Sequence, residues 1–180
     1  MIRRTLSGIA ALLLLAAVSP PAHAEDVEFT NFSPLGSDFY VSFPGKFQQT
    51  ADKKSDKGII QKTYMSQIPP RKTFIVDYIL IPNGIFKDDV TADQVLEAIL
   101  KKQPENGKIR SDRRFKFKDA TAAELIADFA GADPTVGRRF LYVKRDKGGN
   151  VREYQLVFIG ARGSEDSPEA KRFFASFRFD

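Results

Sequence analysis

The chain has no cysteine, no tryptophan, two methionines and a single histidine, His23. Without cysteine there is neither a disulfide nor a thiolate nucleophile. Without a histidine after position 23, the body of the chain has no Ser-His-Asp triad and no ordinary zinc, copper or haem ligation. No Gly-x-Gly-x-x-Gly follows a strand pattern, and no Gly-x-x-x-x-Gly-Lys-Ser/Thr run or Asp-x-Asp-x-Asp-Gly loop occurs. Nucleotide cradles and calcium loops of those types are therefore unsupported, and no metal or cofactor is expected. Long apolar runs are scarce too. The one from Leu6 to Val18 falls short of the roughly 20 residues a spanning helix needs, so no transmembrane segment is expected.

That run has another reading. Arg3 and Arg4 precede it, Pro20 and Pro21 break it, and Ala22-His23-Ala24 supplies the small-x-small pattern of a signal-peptidase site. Residues 1–24 thus read as a cleaved signal peptide, and residues 25–180 as one exported, periplasmic or secreted domain. Ile2 and Thr5-Leu6-Ser7 fit a twin-arginine address poorly, so ordinary unfolded export is the preferred route. With 28 Lys and Arg against 23 Asp and Glu, losing Arg3 and Arg4 lowers the net charge from +5 to +3. A mild positive charge is weak support for a polyanion partner, and no nucleic acid is expected. All 16 phenylalanines lie after position 24, which points to a Phe-rich core held by packing alone.

Strand patterns dominate the rest. Phe39 to Phe43 alternates and stops at the turn pair Pro44-Gly45, and the charged stretch Asp52–Gly58 connects to a returning strand from Ile59 to Met65. Thr73 to Ile81 is apolar at nearly every position, the pattern of a central strand covered on both faces. Thr91 and Gln94 form a capping box for a helix whose stripe is Ala92, Val95, Leu96, Ile99 and Leu100. Glu97 and Lys101 are spaced for an i,i+4 pair, and Pro104 and Gly107 end the helix. From Lys108 to Lys118 every even position is charged, the period of a half-buried strand, with Ile109, Phe115 and Phe117 facing inward. Ala120–Ala130 fits either an Ala-rich helix or a strand, and the strand is preferred. Val136–Val143 and Val151–Ile159 make a hairpin across a Gly-Gly-Asn turn. Ser167, Pro168 and Glu169 then start a helix that lays Phe173, Phe174 and Phe177 on the sheet. Together these elements make a single α+β domain with a mainly antiparallel sheet flanked by helices.

Three segments carry a resemblance. Phe39-Tyr40-Val41-Ser42-Phe43-Pro44-Gly45-Lys46 resembles the F-x-V-x-F-P-G-K opening of many small exported bacterial proteins of unknown function. Arg152 to Gly160, with its Tyr-Gln-Leu core, and Ala170 to Phe179, with its R-F-F-x-S-F close, resemble later parts of the same proteins. Their architecture is similar to the PsbP-like fold of photosynthetic lumenal proteins, an antiparallel sheet sandwiched by helices. The resemblance covers the two ends of the chain after position 24, and residues 82–135 show none. It implies a fold and leaves activity open.

Three constellations bear on function. Asp77 sits within the apolar central strand, where burial would raise its pKa into the range of a general acid. The preferred reading is structural, a salt bridge to Arg138 or Arg139 or an edge position facing solvent. Lys108, Arg110, Arg114, Lys116 and Lys118 would project from one face and hold an anionic surface such as lipid headgroups. A solvated strand face is the alternative, and Asp112 interrupting the run favours it. Lys144 to Asn150 could form a backbone nest for an anion, though a hairpin tip is the simpler reading. The functional expectation is a non-enzymatic binding or accessory module for an envelope or secreted partner. A carboxylate-dependent hydrolase and a carrier with a Phe-lined pocket for a small apolar ligand are the alternatives.

Overall fold

The computed structural model describes residues 27–34, 38–101 and 107–180. The signal-peptide reading of residues 1–24 and the helix stop at Pro104 fall outside them. Ten strands and two helices follow in the order β1 Phe29–Phe32, β2 Phe39–Pro44, β3 Phe47–Lys54, β4 Ile60–Ile68, β5 Lys72–Ile81, α1 Ala92–Leu100, β6 Gly107–Phe117, β7 Ala120–Phe129, β8 Thr135–Arg145, β9 Val151–Ala161, α2 Pro168–Ala175 and β10 Arg178–Phe179. Seven strands form an antiparallel sheet in the order β3-β4-β5-β9-β8-β7-β6, and β1, β2 and β10 form a smaller one. The expected α+β class and antiparallel sheet are what the chain adopts.

Because side chains alternate across a strand, register assigns each residue of the large sheet to one of two faces. The first face carries Phe74, Val76, Tyr78, Tyr142, Tyr154, Leu156 and Phe158, all buried. The small sheet packs on it through Phe39, Val41 and Phe43, and α2 through Phe173 and Phe174. Ser167 caps α2 with Pro168 in its first turn, as its sequence predicts. The aromatic rings interlock, with Phe177 contacting Phe39, Tyr142, Tyr154 and Phe179 at centroid separations of 4.6–5.9 Å. Offset and edge contacts of this kind add to what ring burial contributes.

The second face is covered only in part. The capping box at Thr91 forms, and α1 lays Val95, Leu96 and Leu100 on Ala123, Leu125, Leu141, Val143 and Val151. Glu97 does not bond Lys101. It accepts a hydrogen bond from Arg114 Nε at 2.8 Å instead, because β6 runs alongside the helix. Nine helical residues cannot span seven strands, so one end of this face lies bare.

Three expectations change. Asp52, Lys53 and Lys54 belong to β3, and only residues 55–59 turn the hairpin. The apolar strand β5 is third from one edge, with β9 in the middle of the sheet. It buries one face and leaves Ile75, Asp77 and Ile79 half-exposed on the other, so it is not covered on both sides. Ala120–Phe129 is a strand, as preferred, with its first six residues buried. Both edge strands carry a bulge, β3 at Thr50 and β6 at Arg110. Bulges twist an edge away from further pairing.

Candidate functional site

The bare end of the second face holds a pocket of about 250 Å³. Its apolar lining comes from Leu125, Ala127 and Phe129, alternate residues of β7, and from Val157 of β9, two strands away across β8. Ile109 of β6 closes one side and is 42% exposed. Phe129 lies across two glycines. A Cβ on Gly107 would meet its ring at 2.9 Å and one on Gly137 at 3.0 Å, so these glycines let the ring lie flat against the sheet.

The polar lining is Arg139 and Gln155. Arg139 of β8 stands opposite Val157, and its Nε is buried without a hydrogen-bond partner. Among the described residues it forms no salt bridge, whereas Arg138, Arg145 and Arg152 each do. Beyond the pocket lie two acids on the same face. Gln155 Nε2 donates to Glu153 Oε1, and Thr63 Oγ1 donates to Asp77 Oδ1 at 2.6 Å. Burial pushes the pKa of Glu153 up against the Gln155 hydrogen bond and the Arg139 charge, with Asp77 adding to the rise. Burial likewise raises Asp77, opposed by the Thr63 hydroxyl and by Arg139. Burial draws the Arg139 pKa down, and the charges of Glu153 and Asp77 oppose it.

Asp77 is thus half-exposed rather than fully buried, has a pKa raised by partial burial, and forms no salt bridge among the described residues. Arg138 points to the other face, where Nη2 meets Glu124 at 2.6 Å and Nη1 meets Asp166 at 2.9 Å. Arg139 shares a face with Asp77 and acts on it through its field.

The basic strand does not present one face. Ile109 stands opposite Ala127 and Ser111 opposite Ile126, so Arg110 is an extra residue and the side-chain parity flips there. Lys108 and Arg110 lie on the first face, where Arg110 pairs with Glu165. Arg114 and Lys116 lie on the second, where they meet Glu97 and Asp93 of α1 at 2.8 and 2.9 Å. Lys118, in the turn after β6, donates to the Phe179 carbonyl at 2.8 Å. By the same flip Ile109 faces the pocket, while Phe115 and Phe117 face the aromatic core. At the Lys144–Asn150 turn the backbone nest is filled by the chain itself, since the amides of Gly148 and Asn150 donate to Asp146 Oδ1 at 2.9 and 3.0 Å. Among the described residues no group of three or more acids is placed to hold a metal ion.

The pocket was not visible in the sequence, although its residues were. Arg139 stood out only as a partner for Asp77, and Glu153 and Gln155 only as strand positions. Their convergence depends on which strands are neighbours.

A seven-stranded antiparallel sheet, covered on one face by a small sheet and a helix and half-covered on the other, defines an α+β sandwich with an open groove. Solved structures share this fold, two of them as follows. The crystal structure of LpqN, involved in cell envelope biogenesis of Mycobacterium tuberculosis, matches with a TM-score of 0.53 at 13% sequence identity, over 84% of this chain and 90% of that one. The solution structure of cyanobacterial PsbP (CyanoP) from Synechocystis sp. PCC 6803 matches with a TM-score of 0.50 at 12% identity, over 91% of this chain and 99% of that one. The chain has a PsbP-like fold, as the resemblance implied. No protein-family model matches the sequence, and no curated protein matches it.

Proposed function

We propose that this chain is an exported binding module that takes a small, apolar-bodied ligand on the uncovered end of its second sheet face. The observation that carries the reading is the 250 Å³ pocket lined by Leu125, Ala127, Phe129 and Val157, where the sheet lacks its covering helix. Concave, mostly apolar sites with a few polar groups are the ordinary form of a small-molecule site. An extracytoplasmic setting is supported by the signal-peptide pattern of residues 1–24 and by the likeness in fold to LpqN, a protein of cell envelope biogenesis.

The arrangement suits binding better than hydrolysis. A general acid must come within hydrogen-bond reach of its substrate. Neither Asp77 nor Glu153 lines the pocket, and Glu153 is only 5% exposed. Both acids already accept a hydrogen bond from a neighbouring side chain.

The test is a backbone-amide NMR titration of the purified chain with hexanol, a neutral probe of about the right size. Shifts should saturate and concentrate at residues 125–129, 137–139 and 155–157. Ala127→Phe, which fills the pocket, should weaken them at least about tenfold, as expected when an apolar site loses its space. Shifts scattered over the surface, or unchanged in Ala127→Phe, would remove the pocket as a site.

A further inference from the structure

From the unpartnered guanidinium in the pocket wall, we propose that the ligand is a small monocarboxylate, with its apolar body over Leu125, Ala127, Phe129 and Val157 and its carboxylate on Arg139. This rests on the reading of the pocket as a binding site and adds the chemistry of the head group.

Arg139 is the argument. A guanidinium carries five donors and stays charged in proteins, and a buried donor without an acceptor is strongly unfavourable. Every other arginine among the described residues has an acid, a carbonyl or an aromatic ring as partner. Arg172 and Arg178 use the rings of Phe29 and Tyr40, and Arg71 uses Asp133. Arg139 has none, and its Nε is shut off from water. Gln155 does not supply the missing acceptor, since it donates through Nε2 to Glu153 and Arg139 makes no hydrogen bond to it. Arg139 is also part of the pocket lining, so a ligand there lies beside the guanidinium.

The class of anion follows from size and from nearby charge. A dry apolar cavity of about 150 Å³ holds benzene, so a pocket of about 250 Å³ has room for one ring or a chain of roughly six carbons plus a compact head. A planar carboxylate matches the guanidinium fork in a way a hydroxyl or an amide does not. Glu153 and Asp77 lie outside the pocket lining and act on Arg139 electrostatically. Their presence disfavours a doubly charged head such as a phosphate monoester more than a singly charged one.

Hexanoate, hexanamide and hexyl phosphate, titrated into the purified chain by the same amide shifts, test this. Hexanoate should bind about tenfold to a hundredfold more tightly than hexanamide, the range expected for hydrogen bonds to a charged partner. Hexyl phosphate should bind more weakly than hexanoate. In Arg139→Gln, hexanoate should fall to the level of hexanamide while hexanamide stays within about twofold, and Arg139→Lys should recover part of the preference. Unchanged amide positions away from the pocket report that the variants are folded. If hexanamide and hexanoate bind the pocket equally, the carboxylate assignment is wrong and the pocket stands. A preference that survives Arg139→Gln also overturns the assignment. If hexyl phosphate binds most tightly, the head group is a phosphate and the proposal fails in that form. If no probe reaches residues 125–157, both readings fall together.

Discussion

Asp38 holds the start of β2 to the large sheet. It accepts from the Tyr154 hydroxyl at 2.6 Å and meets Lys144 Nζ at 2.6 Å and Arg152 Nη1 at 3.2 Å. Burial pushes its pKa up, but hydrogen bonds from Lys144 and Tyr154 and the charges of Lys144 and Arg152 outweigh that, leaving it below the ordinary value. Its contribution to stability is therefore full above the unfolded pKa of about 3.9 and is lost as pH falls through the lower folded value. Glu153 and Asp77 have the opposite sign. Their folded pKa values are raised, so the unfolded chain binds fewer protons, and stability falls as pH rises from about 4 through their folded values. Asp38→Asn should cost about 1–3 kcal/mol at neutral pH, between the limits for exposed and buried pairs, and should blunt the loss of stability in acid. Glu153→Gln should instead flatten the decline above pH 4. Denaturant midpoints measured from pH 3 to pH 8 check both, and a Glu153→Gln profile parallel to the wild type would refute the second.

At the scale of elements, β6 decides most. One inserted residue, Arg110, divides its charges between two faces and turns Ile109 toward the pocket. Arg114 and Lys116 then fasten α1 to the sheet edge through Glu97 and Asp93. These pairs are largely exposed, so Arg114→Gln and Lys116→Gln should each change stability by less than about 1 kcal/mol. With the cations split between two faces and Arg110, Arg114, Lys116 and Lys118 engaged by the protein itself, retention on heparin or on anionic vesicles should be weak and vanish at moderate salt in wild type and double variant alike, since screening acts within about 10 Å. Tight binding by the wild type and none by the double variant would mark the second-face cations as a surface-binding site. The periodicity of β6 was legible in its residues because alternation is local. The bulge was not, because it is defined by what β7 places opposite. Thr91, Gln94, Ser167 and Pro168 announced both helix starts for the same local reason. The apolar run of β5 suggested a strand covered on both sides, yet the cover on its second face depends on the reach of α1, which the strand's own sequence does not contain. The candidate site suffered most from this limit, since its lining is drawn from four strands and none of them carries a motif for it.

Across the whole molecule, the larger of the two cores is an aromatic assembly joining the two sheets through α2, the other being the aliphatic cluster under α1. Phe177, just past the helix, touches rings from both sheets and is 5% exposed. Truncating it removes contacts that no neighbour can replace, and Phe177→Ala should lower stability by about 3–5 kcal/mol. A denaturant midpoint shift with unchanged slope would show the loss, and an unchanged midpoint would mean that the C-terminal segment is not part of the cooperative unit.

The small sheet has a consequence for timing. Its middle strand, β2, precedes every strand of the large sheet, yet one neighbour is β10, which follows them all, and the Ser42 amide donates to Ser176 Oγ at 2.8 Å across 134 positions. Contacts of such long sequence separation form late, because a large loop must be closed before they return anything. A chain emerging from the ribosome cannot seal this core until β10 has appeared, so the core stays loose while the residues between β2 and β10 are made. The pairing of β10 with β2 thus works as a built-in delay.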